Sequence, residues 1–195
     1  VTNGIDSQTW RPRSTPVTRC GAIWTGRIVP EKGPHLAIGA ARRARMPLQI
    51  AGPCHDTDYF RAHIRPELDD MVRYVGHLTA AELVKEYHRS VVGVVTPRWN
   101  EPFGLVAAEM LAAGLPVAGF DRGALASIVD PTVGRLAPPD NVPALSEAMS
   151  LAAGIDRATC RRHVIEHFSI VSMTTAYLRR YEQLILSTTA AAAGI

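Results

Sequence analysis

Short apolar runs alternate with longer segments of mixed polarity along most of the chain, and this alternation predicts repeated strand–helix units. The candidate strands are residues 22–25, 48–51, 71–75, 91–95 and 116–119. Strands that alternate with helices at this spacing are typical of a parallel, doubly wound α/β sheet. Ligands bind at the carboxyl ends of the strands in such sheets, so we expect a site in the loops after Thr25, Val75 and Val95.

Helix start and stop signals lie between and after these strands. Pro34 suits the first turn of a helix, and Thr79 with Glu82 has the form of a capping box. Pro66 interrupts another helical segment, because proline has no backbone N–H to donate. The predicted helices are residues 35–45, 59–67, 79–88, 142–152, 157–167 and 169–186.

The stretch from residue 91 to residue 119 carries the strongest chemical signal. Its strand leads into a proline-bearing loop and then into an apolar helix that begins near Gly104 and ends at Gly114. Glu109 lies inside that helix, where burial of a carboxylate is costly unless a donor hydrogen-bonds to it. Glu101 lies eight positions earlier, in the loop. The two acids therefore flank the start of the helix.

The start of this helix is a second source of ligand-binding groups. The first backbone N–H groups of a helix have no acceptor within it, and they form a ready anion site. Here they belong to Phe103, Gly104, Leu105 and Val106. An anion site between two carboxylates suits a sugar nucleotide, with phosphates at the amides and hydroxyls at the acids. For the two acids taken alone, a core helix whose glutamate faces solvent is the better explanation.

The run from Glu101 to Glu109, EPFGLVAAE, resembles the paired-glutamate motif of the retaining GT-B glycosyltransferases of family 4, the glycosyl transferases group 1. The residues that follow, MLAAGLPV, resemble the family's continuation. The resemblance implies that Glu109 binds the ribose hydroxyls and that Glu101 binds hydroxyls of the transferred sugar. It further implies that the helix-start amides face the diphosphate and that Leu78, in the turn at residues 76–79, contacts the base.

A second motif is the glycine-bounded loop at residues 26–33, which holds Arg27 and Lys32 near a helix start. Arginine can fork onto phosphate oxygens, and lysine adds a compact charge. A solvated basic loop is the better interpretation if this segment stands alone. The loop is similar to the Gly-Arg and Glu-Lys-Gly segments of the same family, and this implies that Arg27 and Lys32 hold the donor's diphosphate.

The resemblance implies a Rossmann-like doubly wound parallel sheet that is one half of a GT-B fold. Residues 1–18 would form an interdomain linker, residues 19–168 the nucleotide-sugar-binding domain, and residues 169–195 a C-terminal helix with a frayed tail. The implied reaction moves a hexosyl group from a UDP-, GDP- or ADP-sugar to an acceptor hydroxyl with retention. Arg27, Lys32 and Glu101 are the expected catalytic residues, and no cofactor or divalent metal is required. The resemblance covers only the C-terminal half of such an enzyme and implies that the N-terminal acceptor domain is missing, so we expect the isolated chain to be inactive in transfer.

The composition of the chain indicates which cellular compartment and which kinds of partner to expect. Hydrophobic residues make up 47% of the 195 residues, as in a globular protein, and no apolar run reaches the ~20 residues needed to span a bilayer. The net charge of +3 suits an anionic ligand but is too small to indicate nucleic acid. Three widely spaced cysteines form no disulfide pattern. We therefore expect a cytoplasmic protein, and contact with the inner face of a membrane stays open.

Two segments have metal-like spacing but are better explained in other ways. Asp56 and Asp58 have the Asp-x-Asp form of the other major glycosyltransferase fold, yet Asp58 is expected to cap the next helix. Cys160, His163 and His167 share one helix face without the further ligands that structural zinc needs, and are expected to be exposed. The sequence therefore predicts no metal site.

Some features depart from the family or stay open. Ser127 stands where relatives often have glutamate, so the role of that acid is not assigned, and neither is a catalytic base. Trp99 either shapes the sugar pocket or packs against its neighbours. Rival classes are a GT-B sugar-nucleotide epimerase, a phosphorylase with pyridoxal phosphate, and a non-catalytic nucleotide-binding module.

Overall fold

Apolar runs form the six strands of one sheet within residues 2–11 and 17–193, which the computed structural model describes. The strands are β1 (Ala22–Thr25), β2 (Leu48–Ala51), β3 (Val72–Gly76), β4 (Val92–Val95), β5 (Val117–Phe120) and β6 (Gly134–Ala137). Their spatial order is β3-β2-β1-β4-β5-β6, and every neighbouring pair is parallel. The chain thus winds outward from β1 in both directions, and the predicted doubly wound sheet is confirmed.

Helices lie between the strands and after the last of them. They are α1 (Pro34–Ala44), α2 (Thr57–Tyr59), α3 (Ala80–Arg89), α4 (Leu105–Ala112), α5 (Val142–Ala152), α6 (Arg157–His167) and α7 (Ile170–Ala193). Short 3-10 turns lie at Pro30–Lys32, Arg65–Glu67 and Gly123–Ser127, and a π-helical turn lies at Phe60–Ile64. The predicted capping box is present, since the Thr79 side chain accepts from the Glu82 amide and the Glu82 side chain accepts from the Thr79 amide.

The structure corrects the sequence-based prediction at two places. The helix predicted at residues 59–67 is a succession of α, π and 3-10 turns, and the 3-10 turn contains Pro66. Its cap is Asp56, whose side chain accepts from the Tyr59 amide at 2.8 Å, whereas Asp58 is exposed and pairs with Arg61. The second difference is β6, an edge strand that the sequence pattern did not predict.

Two apolar clusters fill the space between the sheet and its helices. One contains Trp24 and packs the sheet against α1 and α5, and the other contains Ile23 and packs the opposite face against α3, α4 and α6. Adjacent residues of β1 therefore point to opposite faces, and both faces are buried, as is usual for a parallel sheet. This double cover leaves the ends of the strands as the accessible part of the sheet.

The segment before β1 packs onto the domain. The Ile5 amide donates to the Phe168 carbonyl at 2.7 Å, and the Trp10 ring stacks on Tyr87 with centroids 5.8 Å apart. Residue 1 and residues 12–16 of the predicted linker lie outside the described residues, as do residues 194–195 of the predicted frayed tail. Across the part of the chain that is described, no helix is both long enough and apolar enough to cross a membrane.

Candidate functional site

A cavity of about 370 Å³ opens at the carboxyl ends of the central strands. Its walls come from the loops that follow β1, β2, β3 and β4, together with the first turns of α4. The loop residues on its surface are Gly26, Arg27, Gly52, Pro53, His77, Leu78, Thr96 and Pro97. The sheet therefore places a concave site where a doubly wound fold binds its ligands.

Most of the residues singled out from the sequence meet in this cavity. Those that line it are Arg27, Lys32, Leu78, Glu101, Gly104, Leu105, Val106 and Glu109. Phe103 is the exception, because it is absent from the cavity wall and its ring packs edge-on against Phe168 at a centroid distance of 6.0 Å. The structure thus joins two cations, two acids and a helix start that are far apart in the sequence.

The turn that carries Lys32 is held in place by hydrogen bonds from a buried threonine, Thr96. The Thr96 hydroxyl accepts from the Trp24 indole N–H at 2.9 Å and lies 2.9 Å from the carbonyl oxygens of Lys32 and Gly33. Gly33 is left-handed, with φ of +62°, and a Cβ there would meet the Thr96 carbonyl oxygen at 2.5 Å. The sequence analysis missed Thr96, although a polar residue directly after an apolar strand is the signal that marks it.

Lys32 and Glu101 form an ion pair on the wall of the cavity. Lys32 Nζ lies 2.6 Å from Glu101 Oε2, and their side chains are 23% and 15% exposed. The same carboxylate oxygen accepts from the Trp99 indole N–H at 3.1 Å. Two donors therefore hold one oxygen of Glu101, and among the described residues none bonds to the other.

The backbone of Glu101 is held by a segment that the sequence analysis did not connect with the site. The Ala124 amide donates to the Glu101 carbonyl at 2.7 Å. Gly123 lies against Glu101 so closely that a Cβ would collide with its backbone nitrogen and oxygen, and its φ is +63°. Ser127, at the end of this 3-10 turn, bonds to the Ala124 carbonyl and does not line the cavity.

Glu109 lies deeper in the cavity, on α4. Burial raises the pKa of its carboxyl to about 7, and among the residues described no group donates a hydrogen bond to it. Tyr87 lines the cavity too, and its hydroxyl shares a 3.0 Å hydrogen bond with Thr25. Burial and, to a smaller extent, the charge of Glu109 raise the pKa of Tyr87, so the phenol stays protonated. The site therefore contains a carboxyl group, that of Glu109, to which a ligand could donate hydrogen bonds.

The Glu109→Gln variant is expected to change how stability depends on pH. The unfolded chain releases the Glu109 proton near pH 4.5 and the folded chain only near pH 7. The free energy of unfolding should therefore fall by on the order of 2 kcal/mol as pH rises through this window. Glutamine does not titrate, so the variant should lose that part of the slope. Urea unfolding at pH 4, 5, 6 and 7.5 measures the difference, and identical slopes in the two proteins would contradict the assignment.

The start of α4 contributes backbone amides to the same wall. Gly104 caps the helix, and its carbonyl accepts from the amides of Ala107 and Ala108. The amides of Leu105 and Val106 belong to the first turn, in which a helix has no internal acceptor for its N–H groups. Both residues line the cavity, so the positive end of the helix dipole lies beside the ligand space.

The segments with metal-like spacing lie away from this cavity. Cys160 is fully buried, which corrects the expectation that it is exposed, because its side chain packs in the apolar cluster under α6. His163 is mostly buried and hydrogen-bonds the Ile128 carbonyl at 3.0 Å. Within residues 2–11 and 17–193, no three His, Cys, Asp or Glu side chains are grouped so that they could hold a metal ion.

Known proteins resemble the chain in sequence. The family model described as Glycosyl transferases group 1 matches residues 10–161. The glycogen synthase of Mycobacterium tuberculosis (strain ATCC 25618 / H37Rv) is 34% identical over 174 residues, which cover 83% of this chain and 41% of that protein. The chain thus spans less than half the length of this curated relative.

Solved structures resemble the chain in fold. AviGT4, a glycosyltransferase involved in avilamycin A biosynthesis, superposes with a TM-score of 0.83 at 24% identity, over 95% of this chain and 58% of that one. Anabaena Alr3699/HepE, solved in complex with UDP-glucose, superposes with a TM-score of 0.76 at 18% identity, over 92% and 56% of the two chains. At these identities the likeness shows the fold, which corresponds to one part of each larger chain.

Proposed function

Because the chain belongs to the glycosyl transferases group 1 family, we propose that it is the donor-binding half of a GT-B glycosyltransferase. The reaction is transfer of a hexosyl group from a nucleoside diphosphate sugar to an acceptor hydroxyl, with retention. The observation that carries the proposal is that one cavity is lined by the start of α4 together with four charged side chains, Arg27, Lys32, Glu101 and Glu109. Cations and amides suit a diphosphate, and carboxylates suit the hydroxyls on either side of it.

The diphosphate is bound by Arg27, Lys32 and the amides of Gly104, Leu105 and Val106. Arg27 and Lys32 make charge-assisted hydrogen bonds to phosphate oxygens, which are stronger than neutral ones. The helix start adds N–H groups and the positive end of its dipole. In the transition state, negative charge grows on the leaving diphosphate, and groups already aimed at it lower the barrier without reorganising. The Thr96 contacts that hold the Lys32 turn supply this preorganisation.

The hydroxyl groups of the donor are bound by the two acids. Glu109 accepts hydrogen bonds from the ribose, which provides the donors that its partly buried carboxyl lacks. Glu101 accepts hydrogen bonds from the transferred hexose. The base lies against the turn with His77 and Leu78, both of which line the cavity.

Similar proteins favour transfer over the rival reactions. The curated relative described above is a glycogen synthase, and the two solved neighbours include one in complex with UDP-glucose. Neither an epimerase nor a phosphorylase is needed to account for the paired acids and the basic loop. The acceptor side of the reaction is assigned to a further domain, because the chain spans 41% of its curated relative.

The free cysteines support a reducing compartment. Cys20 is exposed, Cys54 is partly buried and Cys160 is buried, and each is a free thiol. Thiols persist in the cytoplasm, whereas secreted proteins tend to pair them. A cytoplasmic enzyme also has direct access to nucleotide sugars.

A thermal-shift screen against UDP, GDP, ADP and their sugar conjugates tests the proposal. A nucleotide present at about 100 times its Kd stabilises the chain by about 2.7 kcal/mol, which corresponds to an increase in Tm of about 5–10 °C at this size. We expect one base to give this shift and the others to give less. The same mixtures with an added acceptor should show donor binding without sugar transfer. No shift with any nucleoside diphosphate would contradict the proposed function.

A further inference from the structure

Trp99 contacts Lys32 and Glu101, two of the four side chains on which the proposed donor site depends, although it does not line the cavity itself. Its indole N–H donates to Glu101 Oε2 at 3.1 Å. Lys32 Nζ lies 5.1 Å from the centroid of the indole ring and 2.6 Å from the same carboxylate oxygen. Each of these three side chains therefore contacts the other two, and Trp99 remains 41% exposed.

This group of three side chains contains one charged donor and one neutral donor, and a bound diphosphate would affect them differently. A diphosphate competes with Glu101 for Lys32, because both are anions and the ammonium group carries a single positive charge. When Nζ turns toward phosphate oxygens, Glu101 Oε2 loses its strongest partner beside an incoming negative charge. The indole N–H is uncharged and makes no comparable contact with a phosphate, so it stays on the carboxylate.

The remaining freedom of Glu101 lies in its side-chain torsions. Its backbone is fixed by the hydrogen bond from the Ala124 amide at 2.7 Å and by the close approach of Gly123. With Oε2 held by Trp99, the carboxylate keeps its orientation in the cavity wall. Among the described residues no group bonds to Oε1, which leaves that oxygen for a hydroxyl of the ligand.

We propose that Trp99 is a positioning residue that keeps the Glu101 carboxylate aimed at the sugar of the donor while Lys32 binds the diphosphate. The proposal rests on the proposed function of the cavity and adds the group that makes sugar recognition independent of phosphate binding. It predicts that loss of the indole N–H weakens recognition of the sugar and leaves recognition of the nucleotide intact.

The test is isothermal titration of the Trp99→Phe variant with a nucleoside diphosphate and its sugar conjugate. Phenylalanine keeps a flat ring beside Lys32 and removes the N–H. The probe is whichever of UDP, GDP and ADP binds the wild-type chain most tightly, with the tightest of its commercially available hexose conjugates. We expect the Kd for the nucleotide to change less than twofold, and the Kd for the conjugate to rise about fivefold to tenfold.

Two further variants separate positioning from a merely structural role. In a double-mutant cycle, Trp99→Phe should have no additional effect on the conjugate once Glu101→Ala is present, because alanine removes the acceptor through which Trp99 acts. Trp10→Phe removes a buried indole that stacks on Tyr87 and has no contact with Glu101. This control should leave the ratio of the two Kd values unchanged even if it lowers the Tm.

The possible results distinguish this inference from the proposed function. If the wild-type chain binds no nucleoside diphosphate, the proposed function fails and the role of Trp99 fails with it. If nucleotides bind but Trp99→Phe leaves the ratio unchanged, or weakens both ligands equally, the inference is overturned and the proposed function stands. An equal effect of Trp99→Phe with and without Glu101→Ala also overturns it.

Discussion

Lys32→Ala is expected to weaken the binding of UDP or GDP by at least about tenfold. A charge-assisted contact to phosphate contributes ~1.5–3 kcal/mol, and 1.4 kcal/mol corresponds to a factor of about ten in Kd. The variant also leaves Glu101 without its cation. Because the side chain of Glu101 is only 15% exposed, water compensates its charge poorly. The diphosphate then approaches an uncompensated carboxylate. Isothermal titration of both variant and wild type measures the loss.

Lys85→Ala is the matched control, because the chain contains no other lysine besides Lys32 and Lys85. Lys85 is exposed on α3 and does not line the cavity, so the control makes the same change in net charge away from the site. The double variant Lys32→Ala with Glu101→Gln should recover part of the lost nucleotide affinity, since it removes the repulsive charge. An unchanged Kd in Lys32→Ala would remove Lys32 from the binding site.

Gly123→Ala is expected to lower the free energy of unfolding by about 2–4 kcal/mol and to weaken the binding of sugar conjugates. Alanine in the left-handed region costs about 1–2 kcal/mol, and a colliding Cβ adds strain of similar size. The methyl group would meet the backbone nitrogen and oxygen of Glu101, so the hydrogen bond from Ala124 cannot keep its geometry. Chemical unfolding and titration with a sugar conjugate measure the two effects.

Gly154→Ala provides the comparison for this variant. Gly154 lies in the turn after α5, is not left-handed, and a Cβ there would meet no atom within 4 Å. Its substitution should change stability by no more than about 1 kcal/mol in either direction. If Gly123→Ala proved as stable as Gly154→Ala and bound the conjugate normally, the Gly123 turn would not be what positions Glu101.

Local sequence signals predicted most of the fold, because strands and helix caps depend on neighbouring residues. The predicted bounds of β1, β2, α5 and α6 agree with the observed ones, and the Thr79–Glu82 capping box is present. Edge strand β6 escaped prediction because the charged Arg135 interrupts its short apolar run. At residues 57–67, the change from α to π and 3-10 turns depends on Pro66 and on packing. The spacing of apolar residues along the sequence does not predict such changes of helix type.

The candidate site was predictable as a set of residues but not as a set of contacts. Motif spacing identified Lys32, Glu101 and Glu109, yet the ion pair between Lys32 and Glu101 joins residues 69 positions apart. The position of Thr96 directly after an apolar strand marks it in the sequence, but nothing there shows which carbonyls its hydroxyl binds. The close approach of Gly123 to Glu101 joins two distant segments and leaves no local pattern in the sequence. Helix spacing indicated that the Phe103 amide is free, but it does not indicate where the ring packs, which is against Phe168.

The buried hydroxyl of Thr96 ties the Lys32–Gly33 turn to β4 and, through Trp24, to β1. Ordering one residue of a loose loop costs about 1–2 kcal/mol of conformational entropy. In this domain that entropy is lost when the polypeptide folds, so the proposed nucleotide ligand would bind a turn that is already ordered. The same hydrogen bonds therefore contribute both to stability and to ligand binding. The cavity keeps its shape only while β1 and β4 stay paired.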